Sequence, residues 1–430
     1  MSTDQTREAP CGAERKRAPR FTQKGIALIA VASVIAFIAV VSAEFSYNTN
    51  VDYAQAANAR DDMRAYFLAR SGMNLSRIVI KVQKDIIDKY RKYLGDLQLA
   101  DYLPMLVGIF GGSKEEVKAF ADMVGGIDVD HIKGLGLPAG EFNIEVGTDD
   151  GKINMNCANG SAATVKQLEL MLDAMVLPQG YDRMFEERDG DGQFTDRQTF
   201  VKALIDWVDR DTAAYGSNGQ PEDYGYEQRT PPYKARDNYL DSVDDLQAVR
   251  GMDERRWALF GGAFTIYGKC KVNVNAANDL NVIMAIIAQS AKDPNDPVLR
   301  DMNKLWRLAA VVAQARGYGI MFQDLNEFAD FVKDPAAAMG SALNPSDPTK
   351  PAKPNPGQSQ ANQLQGVDLD QAKLTQVARS GGRATYRVTV TSKMGKVEKK
   401  IVGVWDSDNQ NQNARDPAYS RGTWVYWREE

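Results

Sequence analysis

The sequence predicts an α+β protein: a long N-terminal helix, an α-rich middle and a C-terminal antiparallel sheet. Three observations carry this. Eighteen uncharged residues from Ile26 to Ala43 lead into a run to about Tyr93 that lacks Pro and has Gly72 as its only internal breaker. Helix-like segments recur between residues 162 and 333. The stretch "ATYRVTVTSKMGKVEKKIVGVWD" alternates apolar and polar residues about a Lys-Met-Gly turn, and "TWVYWREE" reads as a last strand.

Eighteen apolar residues make a helix of about 27 Å, enough to cross a hydrocarbon core. Arg15, Lys16, Arg17, Arg20 and Lys24 precede it and hold that end in the cytoplasm. The small residues of "VVSAEF" keep a cleaved secretory signal open, an uncleaved anchor is a second option, and a cut on the basic side is a third. The pattern continues past Glu44, with a stripe at Met63, Tyr66, Phe67, Arg70, Met73 or Asn74, Ile78, Val82 and Ile86.

At 430 residues, 43% hydrophobic and 25% charged, the chain is long enough for two or three domains with real cores. Its formal charge of −5 gives no general reason to bind nucleic acid. The single histidine, His131, lies in a Gly-rich acidic stretch and argues against the common triads and multi-histidine metal sites. Cys11 falls before the apolar run. Cys157 and Cys270 have no zinc or CxxC spacing, and their pairing stays open.

Along the middle, "EFNIEVGTDDGKINMN" reads as two strands about a turn at Asp149-Asp150-Gly151. Helices are expected at 162–175, 194–208, 243–249, 254–260, 280–289, 298–316 and 324–333. "GKINMNCAN" and "KCKVNVNAAN" echo each other, each pair of Asn residues placed to cap a following helix. Residues 340–363, rich in Pro, Ser and Asn, read as a flexible loop.

Two stretches suggest cation chemistry. "LIDWVDRDTAAYGSNGQPEDYGY" places Asp206, Asp209 and Asp211 at a helix C-terminus, where carboxylates oppose the dipole, and closes on Glu222 and Asp223. A calcium ion with its six to eight oxygen ligands would compensate them; a solvated acidic loop is the alternative. "ERDGDGQFTDRQ" supplies Asp189, Asp191 and Gly192 in the order of a calcium loop. It has Glu187 and Gln198 where an EF-hand needs Asp and Glu, so it is the weaker candidate. "DSVDDLQAVRGMDERRWALFGGAF" looks like a helix-hairpin-helix, but Asp253 replaces the second Gly of DNA-binding versions among several acids, so the turn reads as structural.

Basic leader, Gly25 and a helix that is first apolar and then amphipathic resemble a type IV prepilin or pseudopilin. With "AEFSYNTNVDYAQAANARDDMRAYFLARSG", "GKINMN", "LIDWVDRD", "PEDYGY", "YLDSVDDLQAVRGM" and "KVNVNAAN" in order, the chain resembles the minor pseudopilin K family of type II secretion systems. The resemblance implies a prepilin peptidase cut between Gly25 and Ile26, with methylation of the new N-terminus. Most relatives carry Glu at the fifth residue after the cut; Ala30 stands there, which implies a subunit at the fibre tip. It further implies a pseudopilin-like fold, the long helix packed on a small sheet with a large inserted α-helical domain that binds calcium through Asp209, Asp211, Glu222 and Asp223.

The domains expected are a leader (1–25), membrane half-helix (26–43), amphipathic half-helix (44–93), core and variable segment (94–150), inserted helical domain (151–335), Pro-rich loop (336–366) and C-terminal sheet (367–430). Expected partners are minor pseudopilins I and J, other pseudopilins and the prepilin peptidase. The expected place is the inner membrane, single-pass, with the C-terminal domain in the periplasm. The role is structural, with no enzyme activity and no nucleic acid. A DNA-binding competence or type IV pilus subunit is the alternative; a metal-dependent hydrolase lacks a nucleophile or His base.

Overall fold

A computed structural model describes residues 23–90, 98–103, 140–189, 192–217, 221–223, 225–227, 229, 231–343, 364–410 and 421–430. Most of the leader, the segment around His131, Asp191 and residues 344–363 of the Pro-rich loop lie outside the described residues, while Pro335–Leu343, at the start of that loop, is helical. Residues 1–64 and 65–430 are two compact units and are taken in turn.

The described part of the first unit is helical and belongs to α1 (Gln23–Val82). Ile26, Leu28, Ile29, Val34, Ile35 and Phe37 are all exposed. A helix this long and apolar can cross a membrane.

In the second unit α1 turns Ala65, Leu68, Ala69, Met73, Val79 and Ile80 into a core with Phe142, Ile144, Tyr386, Val388, Val390, Ile401 and Trp405. The steps of three and four residues are those expected of a helix, but the face is not the expected stripe. Phe67, Ile78 and Ile86 are exposed, as is Met63 of the first unit. The cause is distance: a Cβ on Gly72 would meet Val390 Cγ1 at 2.7 Å and Phe142 Cδ2 at 3.1 Å. Ala65, Ala69 and Gly72 let the backbone approach the sheet, Leu68, Met73, Val79 and Ile80 fill the core beside them, and Phe67, Ile78 and Ile86 point away.

Past Val82 the helix widens into a π-type turn at Gln83–Ile87 and a 3-10 turn at Asp88–Tyr90. Buried Gln83 stitches this end, donating to Asp88 Oδ1 at 2.8 Å and accepting the Leu99 amide at 2.6 Å.

The remaining elements follow in chain order. Strands are β1 (Glu141–Thr148), β2 (Ile153–Asn154), β3 (Phe264–Thr265), β4 (Val272–Asn273), β5 (Ala378–Arg379), β6 (Thr385–Met394), β7 (Val397–Gln410) and β8 (Arg421–Glu429). Helices between β2 and β3 are α2 (Ala162–Val176), α3 (Asp182–Glu186), α4 (Arg197–Asp206) and α5 (Glu254–Phe260). Between β4 and β5 lie α6 (Leu280–Ser290), α7 (Pro297–Arg300), α8 (Met302–Gly317), α9 (Leu325–Lys333), α10 (Pro335–Leu343) and α11 (Gln371–Val377). The sheet under α1 runs β1-β6-β7-β8, every neighbour antiparallel.

The strand pair expected about Asp149-Asp150-Gly151 does not form. β1 pairs with β6, and β2 pairs in parallel with β3. Asp149 is ion-paired to Arg387 at 2.6 Å, while Asp150 Oδ2 accepts the amides of Ala384 and Thr385 and lies 2.9 Å from Arg379. Gly151 lies so close to Ala276 that a Cβ would stand 2.0 Å from its carbonyl oxygen. The turn therefore leads out of the sheet, not back along it.

The helical domain is built twice. Lys152–Asn159, "KINMNCAN", and Lys271–Asn278, "KVNVNAAN", occupy equivalent places. Asn154 and Asn273 each accept the amide two residues on at 3.0 Å and donate to a glycine carbonyl, Gly268 at 2.8 Å and Gly381 at 3.0 Å. Asn156 brackets both backbone groups of Leu240 (2.7 and 3.2 Å), and Asn275 those of Phe322 (2.9 and 2.8 Å). Each copy closes with a parallel pair, β2 on β3 and β4 on β5. Asn154 thus caps the 3-10 turn Met155–Asn159 that follows it, while α2 and α6 are capped by Ser161 and Asp279. Val367, Leu369, Leu374, Val377 and Ala378 pack into this helical core, so the segment expected with the C-terminal sheet from 367 joins the sheet only near Thr385.

Cys157 and Cys270 are bonded, which answers the pairing left open by the sequence. At a sequence separation of 113, the cross-link removes unfolded-chain freedom corresponding to about 4–5 kcal/mol in the chain-entropy account.

Replacing Gly72 with Val should cost about 1–3 kcal/mol through overpacking, read as a lowered melting temperature. Ile78→Ala, on the exposed face, should leave the melting temperature nearly unchanged. Equal effects would reverse the assignment of faces.

Candidate metal centre

Asp196 caps α4 through the Thr199 amide at 2.7 Å. The helix then presents Phe200, Val201, Leu204 and Ile205 to the core and ends on Asp206. Trp207 follows, its ring 5.4 Å from Tyr226 and 6.1 Å from Tyr233, which props the loop beyond. A bridge between Ala213 and Pro221 brings Glu222 back towards the helix end.

One carboxylate oxygen each from Asp209, Asp211 and Glu222 lies within 4.8 Å of the others. Asp209 and Glu222 are buried and Asp211 is exposed. Asp209 Oδ1 and both oxygens of Glu222 are buried without a hydrogen-bond partner, as is Oδ1 of Asp237. Asp237 sits beside them and has φ of +50°, in the left-handed region that a non-glycine residue rarely occupies. Burial, then Asp211, Asp206 and Asp237, push the Asp209 carboxyl up to about 7. Asp206 is pushed up to about 6, chiefly by burial, although Oδ1 accepts the Tyr215 amide at 2.6 Å. Glu222 is raised as well, by burial and then by Asp237.

A cluster of one sign with two of its three carboxylates buried calls for a compensating cation. Oxygens bound to a common Ca²⁺ at its usual distances stand at most about 5 Å apart, so the observed spacing fits. Orphaned carboxylate oxygens are the donors a hard divalent ion takes. Asp209, Asp211 and Glu222 are thus the residues placed to hold one, with Asp237 beside Glu222.

Asp223 is directed elsewhere, accepting the Ala235 amide at 3.0 Å and pairing with Lys234 at 3.3 Å. In the weaker loop, Asp189 accepts the Gln193 amide and the Thr195 hydroxyl, both at 2.9 Å, one on each oxygen; Asp191 lies outside the described residues. Asp237 had gone unmarked by spacing. Its sequence signal is an Asp-Asn step at 237–238, residue types that tolerate a left-handed backbone.

The hairpin at Arg250-Gly251-Met252 faces inward. Fully buried Arg256 donates to the carbonyls of Gly251 and Met184 and lies over the rings of Phe185 and Phe200 at 4.8 and 5.5 Å. The Arg250 amide donates to Tyr226 Oη at 3.0 Å, and the Met252 amide to the Val249 carbonyl. These groups hold the acidic loop, which is a structural use of the turn.

A long helix, apolar at first and then laid on an antiparallel sheet, with a helical domain inserted between strands, makes this an α+β protein with a membrane-length N-terminal helix. Residues 151–261 match the family described as Type II secretion system (T2SS), protein K. That match falls on the stretch that holds "LIDWVDRD", "PEDYGY" and "YLDSVDDLQAVRGM", three of the motifs on which the resemblance rests. The Type II secretion system protein K of Aeromonas hydrophila is 45% identical over 56 residues, 13% of this chain and 17% of that protein. A solved structure of the GspK-GspI-GspJ complex from the enterotoxigenic Escherichia coli Type 2 Secretion System aligns with a TM-score of 0.41 at 13% identity. It covers 68% of this chain and 81% of that one.

Without a cation the folded state keeps protons on Asp206 and Asp209 that the unfolded chain, with carboxyls near 3.8, has lost. The folded state then binds more protons, so stability falls as pH rises. In chelator the melting temperature should drop between about pH 4 and pH 8; added Ca²⁺ should oppose the drop, and differential scanning fluorimetry reads both. Glu222→Gln should raise the melting temperature in chelator and shrink the calcium response. A variant that keeps the full response would remove Glu222 from the site.

Proposed function

We propose that this chain is a minor pseudopilin of a type II secretion system, standing at the tip of a periplasmic pseudopilus. There it starts the fibre and helps folded proteins cross the outer membrane. The observation that carries the reading is the protein K domain at 151–261 in a chain that also bears a membrane-length apolar helix. On this reading the prepilin peptidase cuts between Gly25 and Ile26 and the new N-terminus is methylated. The helix from Ile26 anchors the chain in the inner membrane, and the rest stands in the periplasm.

Ala30 supports the tip position. An acid at that place needs an oppositely charged neighbour in the apolar surroundings of a fibre. A subunit with none ahead of it is better served by an apolar side chain. The partners proposed are minor pseudopilins I and J, as in the Escherichia coli complex. The role is assembly and not catalysis. Calcium is the proposed cofactor, holding the acidic loop at the end of α4.

Intact-mass measurement of the chain co-expressed with a prepilin peptidase should give a protein beginning at methylated Ile26, and Gly25→Val should retain the leader. Retention of residues 1–25 in the unaltered chain would overturn the processing. Co-purification with minor pseudopilins I and J should yield a stoichiometric complex.

A further inference from the structure

The two copies in the helical domain differ in two features together. Cys157 of the first copy corresponds to Ala276 of the second, so only the first copy's turn is cross-linked. The span from bracketing Asn to bracketed residue is 84 positions in the first copy and 47 in the second. Much of the excess is the acidic loop after α4, where the second copy passes from α8 to Phe322 in a short turn. The cross-link and the cation site belong to the same half.

They also touch. Cys157 lies in the 3-10 turn Met155–Asn159. The far end of that turn, Asn159, donates from Nδ2 to the carbonyl of Val208 at 2.6 Å, one residue before Asp209. Ala158, Asn159 and Gly160 form one wall of a 410 Å³ cavity, and Asp209, Asp211 and Tyr215 form another. The disulfide ties the wall to Cys270, and Lys269 beside it is ion-paired to Asp408 of β7 at 2.5 Å. Asn154 and Asn156 repeat the bonds of their counterparts, Asn156 adding one to the Ile266 carbonyl at 3.1 Å, and none of these bonds goes to the acidic loop.

We propose that the Cys157–Cys270 disulfide is the positioning bond of the cation site, so that the chain takes up a divalent cation tightly only in its oxidised form. This rests on the calcium reading above. Freed of the bond, the turn carrying Asn159 gains latitude, and with it the backbone that aims Asp209. A group that orients a ligand typically carries a tenfold to hundredfold effect on metal affinity, and about tenfold is expected here.

Reduction by dithiothreitol is a balanced exchange: the reagent supplies two electrons and two protons and leaves as its cyclic disulfide, and Cys157 and Cys270 become thiols. Calcium titration by calorimetry, on oxidised protein and on protein whose two thiols have been counted, should show about tenfold weaker binding after reduction. Cys270→Ser should match the reduced form, with its fold checked by circular dichroism. Because linkage is reciprocal, calcium should shift the dithiol–disulfide equilibrium of the unaltered protein towards the disulfide by the same factor, which needs no variant. Equal affinity in both forms, with only the melting temperature lowered, would reduce the bond to a stabilising staple and overturn the proposal. Absence of calcium binding in both forms would overturn the calcium reading itself, and the positioning role with it.

Discussion

One carboxylate holds the architecture closed. Asp150 stands where the chain leaves β1 for the helical domain, with a side chain removed from solvent. Its Oδ2 accepts the amides of Ala384 and Thr385, where the chain returns to the sheet, and lies beside Arg379 of β5. Its carbonyl accepts the amide of Asn273, which opens the second copy of the asparagine motif. Exit, return and the middle of the insertion therefore meet at one residue. Because it is buried, losing any partner would leave uncompensated charge, so the junction admits little slack.

The local elements were legible in the sequence, and their long-range partners were not. Helices α2, α4, α5, α6 and α9 and the β6–β7 pair arise from side-chain period and caps within a few residues. The strand partner of Glu141–Thr148 lies beyond the whole insertion, and no turn chemistry near Asp149 announces it. On α1 the expected stripe holds at Met73 and in part at Tyr66 and fails at Phe67, Ile78 and Ile86, because close contact with the sheet falls at Ala65, Ala69 and Gly72.

At the acidic cluster the same division appears. Asp209, Asp211 and Glu222 share one acidic stretch, which their density made visible. Asp237 arrives across a loop shaped by the aromatic cluster of Trp207, Tyr226 and Tyr233. Asp223 looked equal to its neighbour Glu222, but its carboxylate turns to the Ala235 amide. Which way adjacent carboxylates point is decided by packing, not by composition.

The strand order β1-β6-β7-β8 has a consequence for the order in which the molecule is made. β1 precedes the helical domain and its partner β6 follows it, so the sheet cannot start on β1 until the whole insertion has been made. The helical domain, whose parallel pairs close within it, has no such wait. During synthesis the inner face of α1, with Leu68, Met73 and Ile80, remains without its cover until β6 and β7 arrive. A chain shortened by its last strand would keep β1, β6 and β7, and with them the residues on which its own first helix rests.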